Sequence, residues 1–176
     1  MKRILCLAAL IGLGSVASAG GQYAEEQLKA GFYFDLGADT IDVSSYPRVQ
    51  QNNYKVFSQV CFQCHTLARA INAPILSRQD WERYVRRMAI DTKDRAGTHI
   101  DPADAKRIID FLAYDSRRRK VEAGERFKAD TRKMKIMFAE VLKERLRLQV
   151  EENAHEARGT TLGAEAQPSA KPQARQ

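Results

Sequence analysis

The sequence has few cysteines, few prolines and few glycines, and each shortage excludes a class of protein. Three cysteines in 176 residues are too few for a disulfide-rich scaffold. Ten glycines and five prolines give no collagen-like or elastic repeat. A formal charge of +7 and a mean hydropathy of −0.48 exclude a protein with several membrane spans. Hydrophobic residues still make up 44%, the usual share in a chain that folds as one domain.

Residues 1–19 have the three parts of a secretory signal peptide. The first three residues bring two positive charges, residues 4–13 are uncharged, and residues 17–19 form an Ala-Ser-Ala cleavage site. An uncleaved anchor is the alternative, but residues 4–19 number only 16, whereas a spanning helix needs about 20 apolar residues. We therefore expect cleavage after Ala19 and export to the periplasm or a similar oxidising compartment. The mature chain would have a net charge of +5, with 27 basic and 22 acidic residues.

The remaining chain predicts an all-α fold, because no stretch alternates polar and apolar residues for long. Residues 20–45 predict an N-terminal arm that packs on something or stays loose. Residues 46–116 predict a small helical domain with three helices. Their starts carry proline or capping residues, which favour the first turn of a helix. These starts are Ser45-Tyr46-Pro47, Ser77 with Asp80, and Asp101-Pro102.

Residues 117–153 predict a long basic amphipathic helix. Between residues 117 and 147 the segment holds 12 basic and 5 acidic side chains. Its apolar residues follow a heptad-like stripe typical of coiled coils, interrupted by Thr131 and Arg145. The stripe consists of Phe127, Met134, Phe138, Val141 and Leu148. Residues 154–176 are rich in Ala, Gly, Gln and Pro and predict a disordered tail.

The chemistry of the sequence is concentrated in residues 61–65, Cys-Phe-Gln-Cys-His. This C-x-x-C-H pattern is the attachment signature of c-type haem. Cys61 and Cys64, at the end of a helix, can each form a thioether with one haem vinyl group, and His65 then directs its imidazole toward the iron. Covalent attachment of this kind takes place outside the cytoplasm, which agrees with the predicted export.

Three other uses of the motif fit less well. A thioredoxin-like redox pair needs a βαβ context, and the flanking sequence is helical. A structural zinc site needs four ligands, and Cys61, Cys64, His65 and the distant His99 could only just supply them. A disulfide across two intervening residues would close almost no loop. The motif therefore predicts one covalent haem c.

The stretch from Tyr54 to Asp115 resembles class I-type monohaem cytochrome c domains, with a helix running into C-x-x-C-H, a middle helix and a closing helix. The resemblance implies that the first and last helices cross at the haem edge. The residues matching that crossing are Phe57, Ile108, Ile109 and Leu112. The pattern Trp81-x-x-x-Val85-x-x-Met88 also resembles small haem subunits attached to periplasmic dehydrogenases.

The resemblance implies further site residues. The family order of motif, methionine ligand and closing helix implies Met88 as the axial ligand opposite His65, and methionine raises the reduction potential. His99 is the competing ligand, and an open position is the third alternative. The resemblance also implies that a Pro74 carbonyl accepts the His65 N–H. The side chains that could reach haem propionates are Arg69, Arg78 and Trp81.

The function that follows is electron transfer by one haem iron, as a carrier or as a subunit docking to a larger exported redox complex. The alternative is a haem-based sensor or a peroxidase-like enzyme with an open sixth position. We expect no catalytic residues, because no catalytic triad, P-loop or nucleotide fingerprint is present. Partner proteins are expected to dock on residues 117–153, and their basic character also suits contact with an anionic membrane surface. Nucleic acid is disfavoured as a partner of an exported protein.

Overall fold

The computed structural model describes residues 23–96 and 99–165, so the predicted signal peptide at residues 1–19 lies outside the described residues. The described residues form helices and no β-strand, which confirms the all-α prediction. The elements in chain order are α1 (Glu25–Leu28), a 3-10 turn (Tyr33–Leu36), α2 (Arg48–Cys61), α3 (Ala68–Asn72), α4 (Arg78–Ala96), α5 (Pro102–Asp115), a π-helical segment (Ser116–Glu122) and α6 (Gly124–Glu165).

The three main helices begin close to the residues that the sequence indicates. Helix α2 starts directly after Pro47. Before α4, the Ser77 hydroxyl accepts a hydrogen bond of 3.1 Å from the backbone N–H of Asp80. Before α5, the Asp101 carboxylate accepts one of 2.7 Å from the backbone N–H of Ala103. These contacts satisfy N–H groups that have no partner within the first helical turn.

The core lies where α2 crosses α5 and α4 packs beside them. Phe57 of α2 stacks on Phe111 of α5 with ring centroids 5.3 Å apart, and both are fully buried. Ile108 and Leu112 are buried beside them, whereas Ile109 is only half-buried. Each fully buried side chain of this size contributes about 1.5–3 kcal/mol to stability. The crossing therefore uses the residues expected for it, together with Phe111.

The N-terminal arm is packed between α3 and α6. Asp35 of the 3-10 turn accepts two hydrogen bonds, of 2.8 and 2.9 Å, from the guanidinium of Arg69 on α3. Burial opposes ionisation here, but the Arg69 guanidinium and the backbone N–H groups of Gly31 and Phe32 outweigh it and hold the pKa of Asp35 below its ordinary value. Of the two predicted states for the arm, packed or loose, the structure has the packed one.

The chain does not break after α5 but continues through the π-helical segment into α6. Asp115 is fully buried and accepts hydrogen bonds of 3.0 Å from the Tyr46 hydroxyl and 2.7 Å from the Arg119 guanidinium. Ser116 is also fully buried and accepts one of 2.9 Å from the Trp81 indole N–H. Only Ala123 leaves the helical conformation before α6 begins. These polar contacts explain why the predicted helix end near residues 115–116 becomes a joint instead.

Helix α6 is longer than the segment predicted for it. It runs to Glu165, so residues 154–165 are helical where the sequence predicted a disordered tail, and residues 166–176 lie outside the described residues. Alanine, glutamate and arginine in this part are good helix formers, and an existing helix can propagate through them. The tail prediction is therefore wrong for residues 154–165.

The apolar stripe predicted for a partner is in part covered by the chain itself. Met134 and Val141 are buried, and the 3-10 turn and α1 are the arm elements that contact α6. The Arg145 guanidinium donates to the carbonyl of Ala30 in the arm. Leu148, the last member of the stripe, is exposed. Docking of a partner on α6 stays a prediction, but it requires a face other than the one the arm occupies.

Candidate functional site

The C-x-x-C-H motif lies at the end of α2. Cys61 is the last residue of that helix and is half-buried, whereas Cys64 is exposed, and both thiols are free. Burial, with a smaller contribution from Cys64, raises the pKa of the Cys61 thiol to about 12. The two sulfur atoms are therefore available for bond formation and are not engaged with each other.

An apolar recess opens beside this motif, between α2, α4 and α5. The space enclosed between these helices is about 50 Å³, and it rises to about 500 Å³ only when the open mouth is included. Ligand sites in proteins are mostly apolar, with a few convergent polar groups. Three motif residues and Met88 line this recess together. The full lining is Val60, Cys61, Cys64, His65, Ala70, Tyr84, Val85, Met88, Thr92, Ile100, Ile108 and Leu112.

His65 has one ring nitrogen fixed and one left for a ligand. Its Nδ1 lies 2.8 Å from the backbone carbonyl oxygen of Thr66. A protonated Nδ1 donating to that carbonyl leaves the lone pair on Nε2, the arrangement that metal-binding histidines use. The resemblance implied the Pro74 carbonyl in this role, and the structure gives the contact to Thr66 instead. The reason is local, since Thr66 is the next residue in the chain.

Met88 is the one candidate axial ligand that shares the recess with the motif. It lies on α4, half-buried, one turn before Thr92, whose hydroxyl donates to the Met88 carbonyl at 2.8 Å. His99 is exposed and is not part of the recess lining. Met134 is buried under the arm, and Met137 lines a separate cavity between the arm and α6. His155 is exposed on α6.

The three side chains proposed for propionates have other partners. Trp81 is fully buried and donates to Ser116, away from the recess lining. Arg69 forms its two hydrogen bonds with Asp35. Arg78 is paired with Asp110 at 2.6 Å. None of the three is among the residues that line the recess.

Sequence reasoning missed Tyr84 as a residue of this site. Its ring contacts Trp81 edge-on at 5.6 Å between centroids, and it lines the recess beside Met88. Burial raises the pKa of its hydroxyl above the ordinary value. The helical spacing of Trp81, Tyr84, Val85 and Met88 was the available signal, but that spacing marks a buried face and does not separate core from cavity.

Among residues 23–96 and 99–165, no three His, Cys, Asp or Glu side chains gather as ligands for a bare metal ion. None of the described helices combines the length and the apolar character needed to cross a membrane. Comparisons of the chain with protein-family models, with curated proteins and with solved structures found no match.

Proposed function

We propose that this chain transfers electrons through a single covalently bound c-type haem. One observation carries the proposal. Both cysteines and the histidine of the C-x-x-C-H motif line the same apolar recess as Met88, although Met88 lies 23 positions after His65 in the sequence. Helices α2 and α4 provide these groups, and α5 forms part of the recess wall through Ile108 and Leu112.

The residues present fit the group. Cys61 and Cys64 supply two free thiols for thioether bonds, His65 has its Nε2 available, and Met88 supplies a thioether sulfur. The remaining walls are almost entirely apolar, which suits a flat hydrophobic macrocycle, although the macrocycle needs more space than the about 50 Å³ that they enclose here. When bound, the haem would supply reversible one-electron exchange at its iron.

The protein's own residues have two tasks in this proposal. The Thr66 carbonyl holds the ring of His65 in one orientation. The apolar walls exclude water, which tunes the reduction potential. No carboxylate is among the described residues of the recess lining, so the lining offers no pair of carboxylates for acid–base chemistry. This supports a carrier, or a haem subunit of a larger exported complex, over an enzyme.

Haem staining tests the proposal. The chain is produced in a host that matures c-type cytochromes, and the haem should resist acid–acetone extraction and stain on a denaturing gel. Cys61→Ala with Cys64→Ala should abolish both signals, because both thioether bonds are lost. Cys6→Ala is the matched control, since Cys6 lies in the predicted signal peptide and should leave both signals intact. Haem that extracts freely from the unaltered protein would refute the proposal.

A further inference from the structure

Helix α6 has a second face, which the arm contacts only at its edge, where the Tyr33 ring centroid lies 5.2 Å from the Lys135 ammonium group. Its side chains lie within about 60° of the direction of Ala139, at 100° per residue along the helix. That direction is rotated by roughly 140° from the buried side of α6, represented by Met134 and Val141. We call it the outer face. Between residues 128 and 150 it consists of Lys128, Arg132, Lys135, Ile136, Ala139, Leu142, Lys143, Leu146 and Val150, all exposed, and Glu125 lies on the same side one turn earlier.

The outer face combines apolar exposure with charge of one sign. Ile136, Leu146 and Val150 are 68%, 63% and 59% exposed, which is unusual for three apolar side chains along one helix. From Lys128 to Val150, every charged residue on this face is basic. Glu140, which pairs with Lys143, lies on another face of the helix, whereas Glu125, which pairs with Lys128, lies on the same side one turn before it.

We propose that the outer face of α6 lies on an anionic lipid surface. The inference goes beyond electron transfer and does not depend on bound haem. Four basic residues on an amphipathic helix are enough for attraction to acidic headgroups. The long Lys and Arg side chains reach the headgroups, while their apolar neighbours enter the boundary between headgroups and acyl chains. The face extends over about 33 Å, and no helix needs to span the membrane.

Two competing occupants fit this surface less well. A second copy of the chain would bring one basic face against another, and like charges in contact are unfavourable. A protein partner usually needs a central aromatic anchor, and the outer face has no aromatic residue. Lipid headgroups require neither a pocket nor an anchor, only charge and an apolar stripe.

Vesicle flotation tests this inference with the full mature protein. Phosphatidylcholine vesicles serve as the neutral surface, and phosphatidylcholine mixed with phosphatidylglycerol serves as the anionic one. Binding should occur on the anionic vesicles alone and weaken as salt is raised. Arg132→Gln with Lys135→Gln should weaken binding about 30-fold, and Leu146→Gln with Val150→Gln about tenfold. Far-UV circular dichroism of each variant verifies that α6 remains helical.

Two matched control variants test whether vesicle binding depends on the outer face or only on the total charge of the protein. Lys55→Gln with Arg86→Gln removes the same charge from exposed positions on α2 and α4 and should leave binding nearly unchanged. Leu148→Gln alters an exposed leucine on another side of α6 and should also have little effect. Equal losses in the Lys55 and Arg86 control, or no binding to anionic vesicles, would overturn the proposal. So would a dimer that the Leu146 and Val150 variant dissociates, because the face would then join two copies.

Discussion

Lys120 gives the sharpest test of how α6 is attached to the rest of the protein. Its ammonium group is buried and donates a hydrogen bond of 2.8 Å to the carbonyl of Ala73, at the end of α3. The same group lies 5.0 Å from the ring centroid of Trp81 and 5.5 Å from that of Phe127. One lysine thus contacts α4, α6 and the connection after α3.

Burial of Lys120 makes the free energy of unfolding depend on pH. It is the main cause that lowers the pKa of Lys120 from 10.5 to about 7, with Arg119 acting in the same direction and Asp115 opposing it. Between these two values the unfolded chain holds a proton that the folded chain has released, so stability rises as pH increases through this window. The shift corresponds to about 5 kcal/mol. Attraction of the ammonium to the two rings offsets roughly 2 kcal/mol, which leaves about 3 kcal/mol.

Urea unfolding at about pH 6, 8 and 10 measures this contribution, because these values lie below, within and near the top of the window from about 7 to 10.5. Lys120→Met keeps the volume and removes the titrating group, so the variant should lack the rise of about 3 kcal/mol that the unaltered protein has. Lys128→Met, at an exposed position of α6, should retain the full rise. A free-energy difference between wild type and the Lys120 variant that stays constant across this range would refute the burial argument.

Two other substitutions test the site and the arm. Met88→Ala should lower the reduction potential and remove the weak far-red band expected for methionine ligation, whereas Met137→Ala should change neither; an unchanged spectrum in the Met88 variant would assign the axial role elsewhere. Gly37→Ala should destabilise the fold by about 1–3 kcal/mol in urea unfolding, because a Cβ there would meet the Asn72 amide and lie 2.6 Å from the Met134 sulfur. An unchanged midpoint would mean that the arm does not pass between α3 and α6.

The sequence predicted the helices well where the signal is local. Proline and aspartate at helix starts, and the spacing of Ile108 and Leu112, each act within a few residues of where they are read. Lys120 could not be placed in this way. It ends a run of four basic residues that resembles a solvated surface, and it is buried because Trp81 and the Ala73 carbonyl come from distant parts of the chain. Packing of the arm on α6 has the same long-range origin.

The candidate site likewise contains residues that the sequence predicted and contacts that it did not. Cys61, Cys64 and His65 follow from one short motif, because their chemistry depends on adjacent positions in the chain. The resemblance supplied the order that selects Met88, and the recess brings it to the motif. The contact of His65 with the Thr66 carbonyl could not be predicted from the sequence, because every residue has a backbone carbonyl whatever its side chain.

The recess and the outer face of α6 are built from separate parts of the chain. Every residue of the recess lining comes from residues 60–112, and the described part of α6 contributes none. The joint between them is instead the buried network around Asp115, Ser116 and Lys120. Substitutions on the outer face should therefore change where the protein binds without changing the site, whereas substitutions in the joint should affect the stability of both. The electron transfer proposed for the recess uses no described residue of α6, so contact with an anionic lipid surface is a separate role that we propose for the long helix.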